Sequence, residues 1–496
     1  MNLKRRVISW SVRNKGEAIA FLITAAASLS VFLFSALRFP NDDQFILYRY
    51  IDHIAAGDGF VYNIGEKVLG STTPLFTLIA SLIKWLFMWV PTPDLVAYLN
   101  IFFLSCAAWY FYRLAHRFLP LWLAIVSVLI FALNLARTIP EGMETPLFLF
   151  LLLGFLSMLL EGRHKTAAVF LALSVLTRPD AGLIAVLAGV YWLTTVGFRK
   201  TAILTALTVA VATPWLVFST LYFGSFVPQS LQTKLHSDII YSIPHFQALK
   251  VQLASISRIL WGRIYDPDNL ALQAVFNLFP LFVLALVGAW KTIRNRAWIL
   301  CVIPIVYLIS FSLSNPIIFP WYLSEMEPLW ILLVCIGVAS LIKYLPKRPF
   351  WGVIVAALLI GPLAGWYTLA TTKDEGSKQE FFQIAQFIKE HARPTDSVGI
   401  ADIGIVGYVT NRPLIDFIGL VSPDSVAYYP VPASCVRPGE LYTIPGELIQ
   451  TTKPNWVVVS GNQLDTCLAG AEWWTTTYVL VEDTGTKEVW QLRDRE

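Results

Sequence analysis

Long apolar stretches recur through the first three quarters of this 496-residue chain, and they constrain its fold more than any other feature. Hydrophobic residues make up 56% of the sequence, charged residues only 14%, and the mean hydropathy is +0.61. A helix of about 20 apolar residues spans the hydrocarbon core of a bilayer. The sequence therefore predicts a mainly α-helical integral membrane protein with several spans.

A hydropathy scan over windows of about 20 residues locates eleven candidate spans. The segment 74–90 is also apolar, but it contains Lys84 and the interface-type residues Trp85, Phe87 and Trp89. We interpret it as a helix that lies in the membrane interface. The eleven spans cover residues 17–37, 95–112, 119–136, 145–160, 166–178, 181–198, 201–222, 271–290, 297–313, 328–343 and 349–370.

The distribution of charge gives these spans an orientation. With 74–90 in the interface, every predicted cytoplasmic segment is basic, from Lys4 and Arg5 at the N-terminus to Lys347 and Arg348 before the last span. Nearly all acidic residues of the membrane half then lie on the opposite side. The net charge of +4 is small and the basic residues are scattered, which argues against a nucleic-acid partner.

The last 126 residues, 371–496, have a different pattern. Apolar periodicity predicts a helix over 377–392, and apolar runs predict strands at 398–401, 456–460, 478–481 and 489–492. We therefore predict a transmembrane domain over 1–370, with a first outer loop at 38–94, followed by an extracytoplasmic α/β domain over 371–496. An oxidising compartment would permit a disulfide between Cys435 and Cys467, and two free buried thiols are the alternative.

Two adjacent carboxylates, Asp42 and Asp43, follow the first span directly. A helix is predicted from about Asp42 to Ala56, where Gly57 ends it. A carboxylate at this depth can take a proton from a hydroxyl group or hold a divalent metal ion. The alternative is that Asp42 only caps its own helix.

Short motifs in the chain match, in order, those of one enzyme superfamily. They are Asp42-Asp43-Gln44-Phe45-Ile46-Leu47-Tyr48-Arg49-Tyr50, Gly57-Asp58-Gly59, Gly70 to Leu75, Gly142-Met143-Glu144-Thr145, Thr177-Arg178-Pro179-Asp180, Phe223 to Pro228, Pro320-Trp321-Tyr322 and Asp402-Ile403-Gly404. Through them the chain resembles GT-C glycosyltransferases, and in particular the mycobacterial terminal arabinofuranosyltransferase family. It departs from the family pattern at Asp180, where Glu is more common, and at Gln229, where Asn is more common, which leaves the sugar open.

The resemblance implies an enzyme of the bacterial inner membrane that contributes to cell wall biogenesis. Its donor would be a sugar, with arabinofuranose as one candidate, linked to polyprenyl phosphate, and its acceptor an extracytoplasmic glycan or glycolipid. The family's catalytic residue is an Asp of the first outer loop. In this sequence that residue is Asp42, with Asp43 beside it.

Sugar transfer from a lipid phosphate leaves an anion on the lipid, so the site needs cations. Arg178, Lys234 and His236 are our candidates for binding the phosphate, although Arg178 could instead pair with Asp180 and the other two could be plain loop residues. Candidates for substrate binding are Arg49, Glu144 and Tyr322. Glu144 could alternatively cap a helix, and Tyr322 could belong to an interfacial aromatic belt.

Other readings of the sequence stay open. Asp42 and Asp43 beside a phosphate would suit a divalent metal ion, but no residue pattern requires one. Neither a phosphate-binding Gly-rich loop nor a zinc-type Cys/His cluster is present in the sequence. A transporter or flippase of lipid-linked sugars and a noncatalytic membrane scaffold remain alternatives to the enzyme.

Overall fold

Apolar helices dominate the structure, a computed structural model that describes residues 2–34, 41–235, 279–313, 322, 324–344, 349–371, 377–436, 443–460 and 463–493. Up to residue 371 the helices are α1 (Asn2–Phe34), α2 (Asp43–Ala56), α3 (Pro74–Leu86), α4 (Thr92–Phe118), α5 (Leu121–Leu135), α6 (Thr145–Leu160), α7 (His164–Thr177), α8 (Ala181–Val196), α9 (Phe198–Phe223), α10 (Gln229–Leu235), α11 (Phe279–Arg294), α12 (Ile299–Leu313), α13 (Glu327–Leu341) and α14 (Pro349–Thr371).

Five helical segments within the described residues are long and apolar enough to cross a membrane. Several others are apolar but shorter than 18 residues, among them Thr145–Leu160 and Ala181–Val196. These findings agree with a membrane protein, while the count of eleven spans and their orientation stay predictions. The five long segments are Lys15–Phe34, Thr92–Phe118, Leu121–Thr138, Phe198–Phe223 and Glu327–Tyr344.

The chain divides into two units, and the first consists of Met1–Arg38, Val96–Pro214 and Ile243–Lys373. Its apolar core includes stacked rings of Phe111 and Phe131, whose centroids are 5.0 Å apart. Glycines bring α11 and α13 into direct backbone contact, because a Cβ on Gly288 or Gly337 would overlap a carbonyl oxygen of the facing helix. Small residues commonly allow this close approach between membrane helices.

The second unit consists of Phe39–Leu95, Trp215–Ser242 and Asp374–Glu496. Its strands are β1 (Val398–Ile400), β2 (Leu414–Asp416), β3 (Trp456–Val459), β4 (Tyr478–Asp483) and β5 (Glu488–Leu492). They form one five-stranded sheet in the order β2-β1-β3-β5-β4. The first three strands of that order are parallel, and β5 pairs antiparallel with both β3 and β4. The α-helices of its tail are α15 (Ser377–His391), α16 (Ile403–Thr410), α17 (Gly446–Thr452), α18 (Thr466–Ala469) and α19 (Glu472–Thr477).

The predicted helix and all four predicted strands of the tail are present, and β2 is the strand that the sequence analysis missed. This strand has three residues and directly follows Pro413, so it offers no apolar run long enough to indicate a strand. Its place at the edge of the sheet is set by pairing with β1.

The first outer loop packs with the tail, whereas the sequence analysis assigned it to the transmembrane domain. Three of its side chains bond to tail backbone: Arg49 to the Gly407 carbonyl, Tyr62 to the Ile403 carbonyl and Asn63 to the Leu414 carbonyl. Such bonds join residues more than 300 positions apart, and hydropathy alone does not reveal them.

Helices α2 and α3 differ in how they expose apolar residues. On α2, Leu47, Tyr50 and Ile51 are all buried within the second unit. On α3 and the turn after it, by contrast, Trp85 and Trp89 are exposed. With 13 residues, α3 is roughly 20 Å long and shorter than a bilayer core, as an interfacial helix can be.

Candidate active site

Asp42 occupies the N-cap position of α2, yet its side chain makes no capping bond to that helix. Its two carboxylate oxygens instead accept hydrogen bonds from the backbone N–H groups of Gly404 and Ile405, each at 2.6 Å. These donors belong to the first turn of α16, where unpaired N–H groups and the helix dipole favour an anion. The alternative that Asp42 only caps its own helix was therefore wrong, because its carboxylate binds the start of the remote helix α16.

Gly404 makes this contact possible. A Cβ at position 404 would overlap the backbone carbonyl oxygen of Asp42 and would lie 2.6 Å from its Oδ2. Glycine is therefore needed at position 404 because the two backbones approach closely there, and not because of its own backbone conformation. The resemblance singled out Gly404 as part of a motif, and the structure gives a physical reason for it.

The pKa of Asp42 is raised to about 7, and burial is the largest cause. The negative charges of Asp402 and Asp43 raise it further, while the N–H donors of Ile405 and Gly404 lower it. Each carboxylate oxygen has a second lone pair beyond the one that accepts from the backbone. The group can therefore accept a proton near neutral pH while it stays bound to α16.

Asp43 is the first residue of α2 and is exposed. A metal ion shared by Asp42 and Asp43 stays a prediction, and it would have to bind the second lone pairs of the Asp42 oxygens, since each oxygen already accepts a backbone N–H bond. Within the described part of the chain, three potential metal ligands converge at Cys435, Cys467 and Asp465. The two sulfurs there form a disulfide, with Cα atoms 5.2 Å apart, so this group is not a metal centre.

Arg49 is only 4% exposed, and its guanidinium is bound by the protein. It donates to the carbonyls of Gly407 at 2.7 Å and Arg412 at 2.9 Å, and it lies over the ring of Tyr62. The predicted substrate-binding role of Arg49 remains a prediction. In this structure the residue connects α2 to α16 and to the residues that follow it.

Lys234, predicted to bind phosphate, lies in α10 of the second unit. The backbone N–H of Gln229 in this helix donates to the Leu69 carbonyl at 2.7 Å, and Thr233 donates to the Gly419 carbonyl at 2.9 Å. These bonds fix α10 against the first loop and the tail. His236, the other loop cation, lies outside the described residues.

Arg178 lies in the first unit and is surrounded by carboxylates. Its Nη1 is 2.7 Å from Glu144 and 2.7 Å from Glu325, and Nε and Nη2 donate to Asp180 at 3.1 and 3.2 Å. Its guanidinium lies 5.5 Å from the ring centre of Tyr322. Arg178, Glu144 and Tyr322, which the sequence analysis proposed separately, are thus neighbours.

This network argues against phosphate binding by Arg178. Both edges of its guanidinium fork are occupied, and three carboxylates around one cation would repel a phosphate. The predicted pairing of Arg178 with Asp180 is therefore present. Neither edge of the Arg178 guanidinium is left open to a phosphate. The carboxylate of Glu144, a candidate for substrate binding, accepts a hydrogen bond from Arg178.

Glu325 is the residue of this network that the sequence analysis left without a role. It is 0% exposed, and burial raises its pKa well above the usual range, although Arg178 opposes that shift. Burial also raises the pKa of Glu144. The position of Glu325, three residues after the matched Tyr322, was the one signal in the sequence that pointed to it.

We predict that Gly404→Ala separates Asp42 from α16 and lowers the free energy of unfolding. Two hydrogen bonds to a charged group are lost, which costs about 3–6 kcal/mol. Chemical unfolding of the detergent-solubilised protein measures this change. Gly470→Ala is the control, because its Cβ would meet only the Thr466 carbonyl oxygen at 3.6 Å, an ordinary contact. Equal stability of both variants would contradict the close approach described above.

We also predict opposite consequences for two changes in the Arg178 network. Arg178→Gln leaves the buried Glu144 and the partly exposed Asp180 without their cation, next to the buried Glu325, and should cost about 3–5 kcal/mol. Glu325→Gln resembles the protonated acid that burial favours, and it should leave stability nearly unchanged. Thermal unfolding of both variants measures the two changes in stability. A larger loss of stability in Glu325→Gln than in Arg178→Gln would contradict these roles in the network.

Comparisons with known proteins add the following. Residues 369–494 match a family model described as a domain of unknown function, DUF8728. The chain has no significant match among curated proteins. Its fold is similar to the crystal structure of ArnT from Cupriavidus metallidurans bound to undecaprenyl phosphate, with a TM-score of 0.62 and 14% identity over 95% of this chain and 97% of that one.

The apo structure of the same ArnT gives a TM-score of 0.60 at the same identity and coverage. At 14% identity the likeness establishes a shared fold. It agrees with the architecture predicted from the sequence, a mainly helical chain with a small C-terminal sheet. Membership of the mycobacterial arabinofuranosyltransferase family stays a prediction.

Proposed function

We propose that this protein is a membrane glycosyltransferase that transfers a sugar from a polyprenyl-phosphate donor to an acceptor hydroxyl. The observation that carries the proposal is the fold likeness, over 95% of the chain, to a protein whose crystal structure holds undecaprenyl phosphate. Composition and the five long apolar helices among the described residues support the membrane setting.

In the proposed reaction the acceptor oxygen attacks the anomeric carbon of the sugar. The bond from that carbon to the phosphate oxygen breaks, and the polyprenyl phosphate leaves with the electron pair. The proton of the acceptor hydroxyl passes to Asp42. A pKa of about 7 makes this carboxylate a stronger base than an exposed Asp, and it is still ionised in a substantial fraction of molecules at neutral pH.

The backbone of α16 gives Asp42 a fixed position for this step. Two hydrogen bonds hold the carboxylate, and one lone pair on each oxygen remains for the acceptor hydroxyl. Lys234 and His236 stay our candidates for the cations that stabilise the departing phosphate. We assign no step to Asp43 or to a metal ion.

The finer parts of the proposal rest on the sequence resemblance. Arabinofuranose is the first donor sugar to test, and the acceptor is a glycan or glycolipid on the extracytoplasmic face. A role in cell wall biogenesis would follow from such an acceptor.

The test is transfer by the purified protein from a panel of radiolabelled polyprenyl-phosphate sugars, with and without EDTA. We expect one donor to be consumed, and Asp42→Asn to lower the rate by about 10²–10⁴-fold, the usual contribution of a general base. Asp424→Asn is the matched control, because Asp424 is an exposed carboxylate of the same unit.

Two results would contradict this proposal. Wild-type protein that consumes no donor would favour the transporter or scaffold alternatives. Full activity of Asp42→Asn would exclude the proposed base, even if a donor is consumed.

A further inference from the structure

Asp416 is an acidic residue in the tail that the proposed reaction does not use. It ends β2 and is 0% exposed. Its Oδ1 accepts a hydrogen bond from the Ile418 N–H and its Oδ2 from the Val421 N–H, both at 2.9 Å. Its own N–H donates to the Ser422 hydroxyl at 3.0 Å. The carboxylate therefore holds residues 416–422 in one closed turn, which we call the Asp416 turn.

A buried carboxylate is costly unless hydrogen bonds satisfy it. Burial raises the pKa of Asp416 to about 6, and the backbone N–H groups of Val421 and Ile418 are the largest opposing influence. The side chain thus depends on the turn for its own solvation, just as the turn depends on the side chain for its shape.

The Asp416 turn offers its Gly419 carbonyl to α10. Thr233 donates its hydroxyl to this oxygen at 2.9 Å, and the side-chain amide of Gln229 donates to it at 3.3 Å. Gly419 has φ +91°, a conformation that glycine adopts without strain. A helix of seven residues is not stable alone, so α10 depends on such external bonds.

The same turn also contacts the first outer loop. A Cβ on Gly70 would lie 2.6 Å from Cγ1 of Val421 and 3.1 Å from the Leu420 carbonyl oxygen. The preceding residue, Leu69, accepts the hydrogen bond from the Gln229 N–H of α10. First loop, α10 and tail therefore meet at the Asp416 turn, all within the second unit.

We propose that Asp416 is a positioning residue: through Gly419 it fixes α10, the helix that carries Lys234. The structural part of this proposal concerns only the contact between turn and helix. Its consequence for donor binding rests on the proposed function, in which Lys234 binds the donor phosphate.

Hydrogen–deuterium exchange of residues 229–235 tests the structural part without any enzymatic assay. Asp416→Asn and Thr233→Val should each raise exchange in α10 by at least about 10-fold, because each removes part of the link between turn and helix. The double variant should be no worse than the more severe single one, since both changes act on the same link. Thr233→Val nearly preserves side-chain shape, so it serves as the test if Asp416→Asn does not fold.

Asp465→Asn is the control. Asp465 also accepts two backbone N–H bonds with its carboxylate, from Cys467 and Gly446, but it holds α17 and α18 and not the Asp416 turn. Exchange in α10 should stay at the wild-type level in this variant. Unchanged exchange in Asp416→Asn and Thr233→Val, or an equal rise in Asp465→Asn, would overturn the proposal.

Donor kinetics test the consequence. Asp416→Asn should raise KM for the polyprenyl-phosphate sugar about 10-fold or more, with a smaller change in kcat, as expected for lost ground-state binding. If wild-type protein consumes no donor, the proposed function fails while the exchange result still stands. Faster exchange with an unchanged KM would overturn the role of Asp416 in donor binding.

Discussion

The bond between the Asp42 carboxylate and the first turn of α16 is the interaction on which the second unit most depends. It joins residues 362 positions apart in the sequence. It also requires glycine at position 404, where any side chain would collide with Asp42. Without it, the start of α16 would lose its anion and Asp42 would lose its main hydrogen-bond donors.

Further contacts of the first loop follow α16 along its length. Tyr62 donates to the Ile403 carbonyl at 2.6 Å, and Arg49 donates to the Gly407 carbonyl near the other end of the helix. Gly407 lacks a Cβ where the Tyr62 hydroxyl lies, so the two chains approach closely there as well. The loop that carries the proposed base and the tail domain are therefore one folded unit, and a truncation of the tail would remove the support of Asp42.

The two ionic sites differ in how their charge is balanced. Asp42 has neutral backbone donors and acidic neighbours, which leaves its pKa near neutrality. Arg178 has three acidic partners, so the acidic groups outnumber the one positive charge. Burial raises the pKa of one of them, Glu325, well above its usual range. The first arrangement suits proton transfer, and the second suits a fixed structural centre that can hold a proton on an acid.

Local patterns in the sequence predicted much of this architecture, because they are set by local physics. The apolar windows coincide with apolar helices, α2 ends at Gly57 as expected, and apolar runs located four of the five strands in the described residues. The sequence alone did not reveal which residues far apart in the chain contact one another. The sequence marked Asp42 as important, but the partner helix at Gly404, the carboxylates around Arg178 and the role of Glu325 depend on tertiary packing.

The pH dependence of single-turnover sugar transfer tests the central claim most directly. Because the proposed base, Asp42, would act in its ionised form, the rate should rise about tenfold per pH unit below a pKa of about 7 and level off above it. Glu141→Gln is the control, because burial also raises the pKa of Glu141 to about 7. The rise of the rate with pH should persist in this variant. A rate that is flat between pH 5 and 8, or a rise that disappears in Glu141→Gln, would contradict Asp42 as the base.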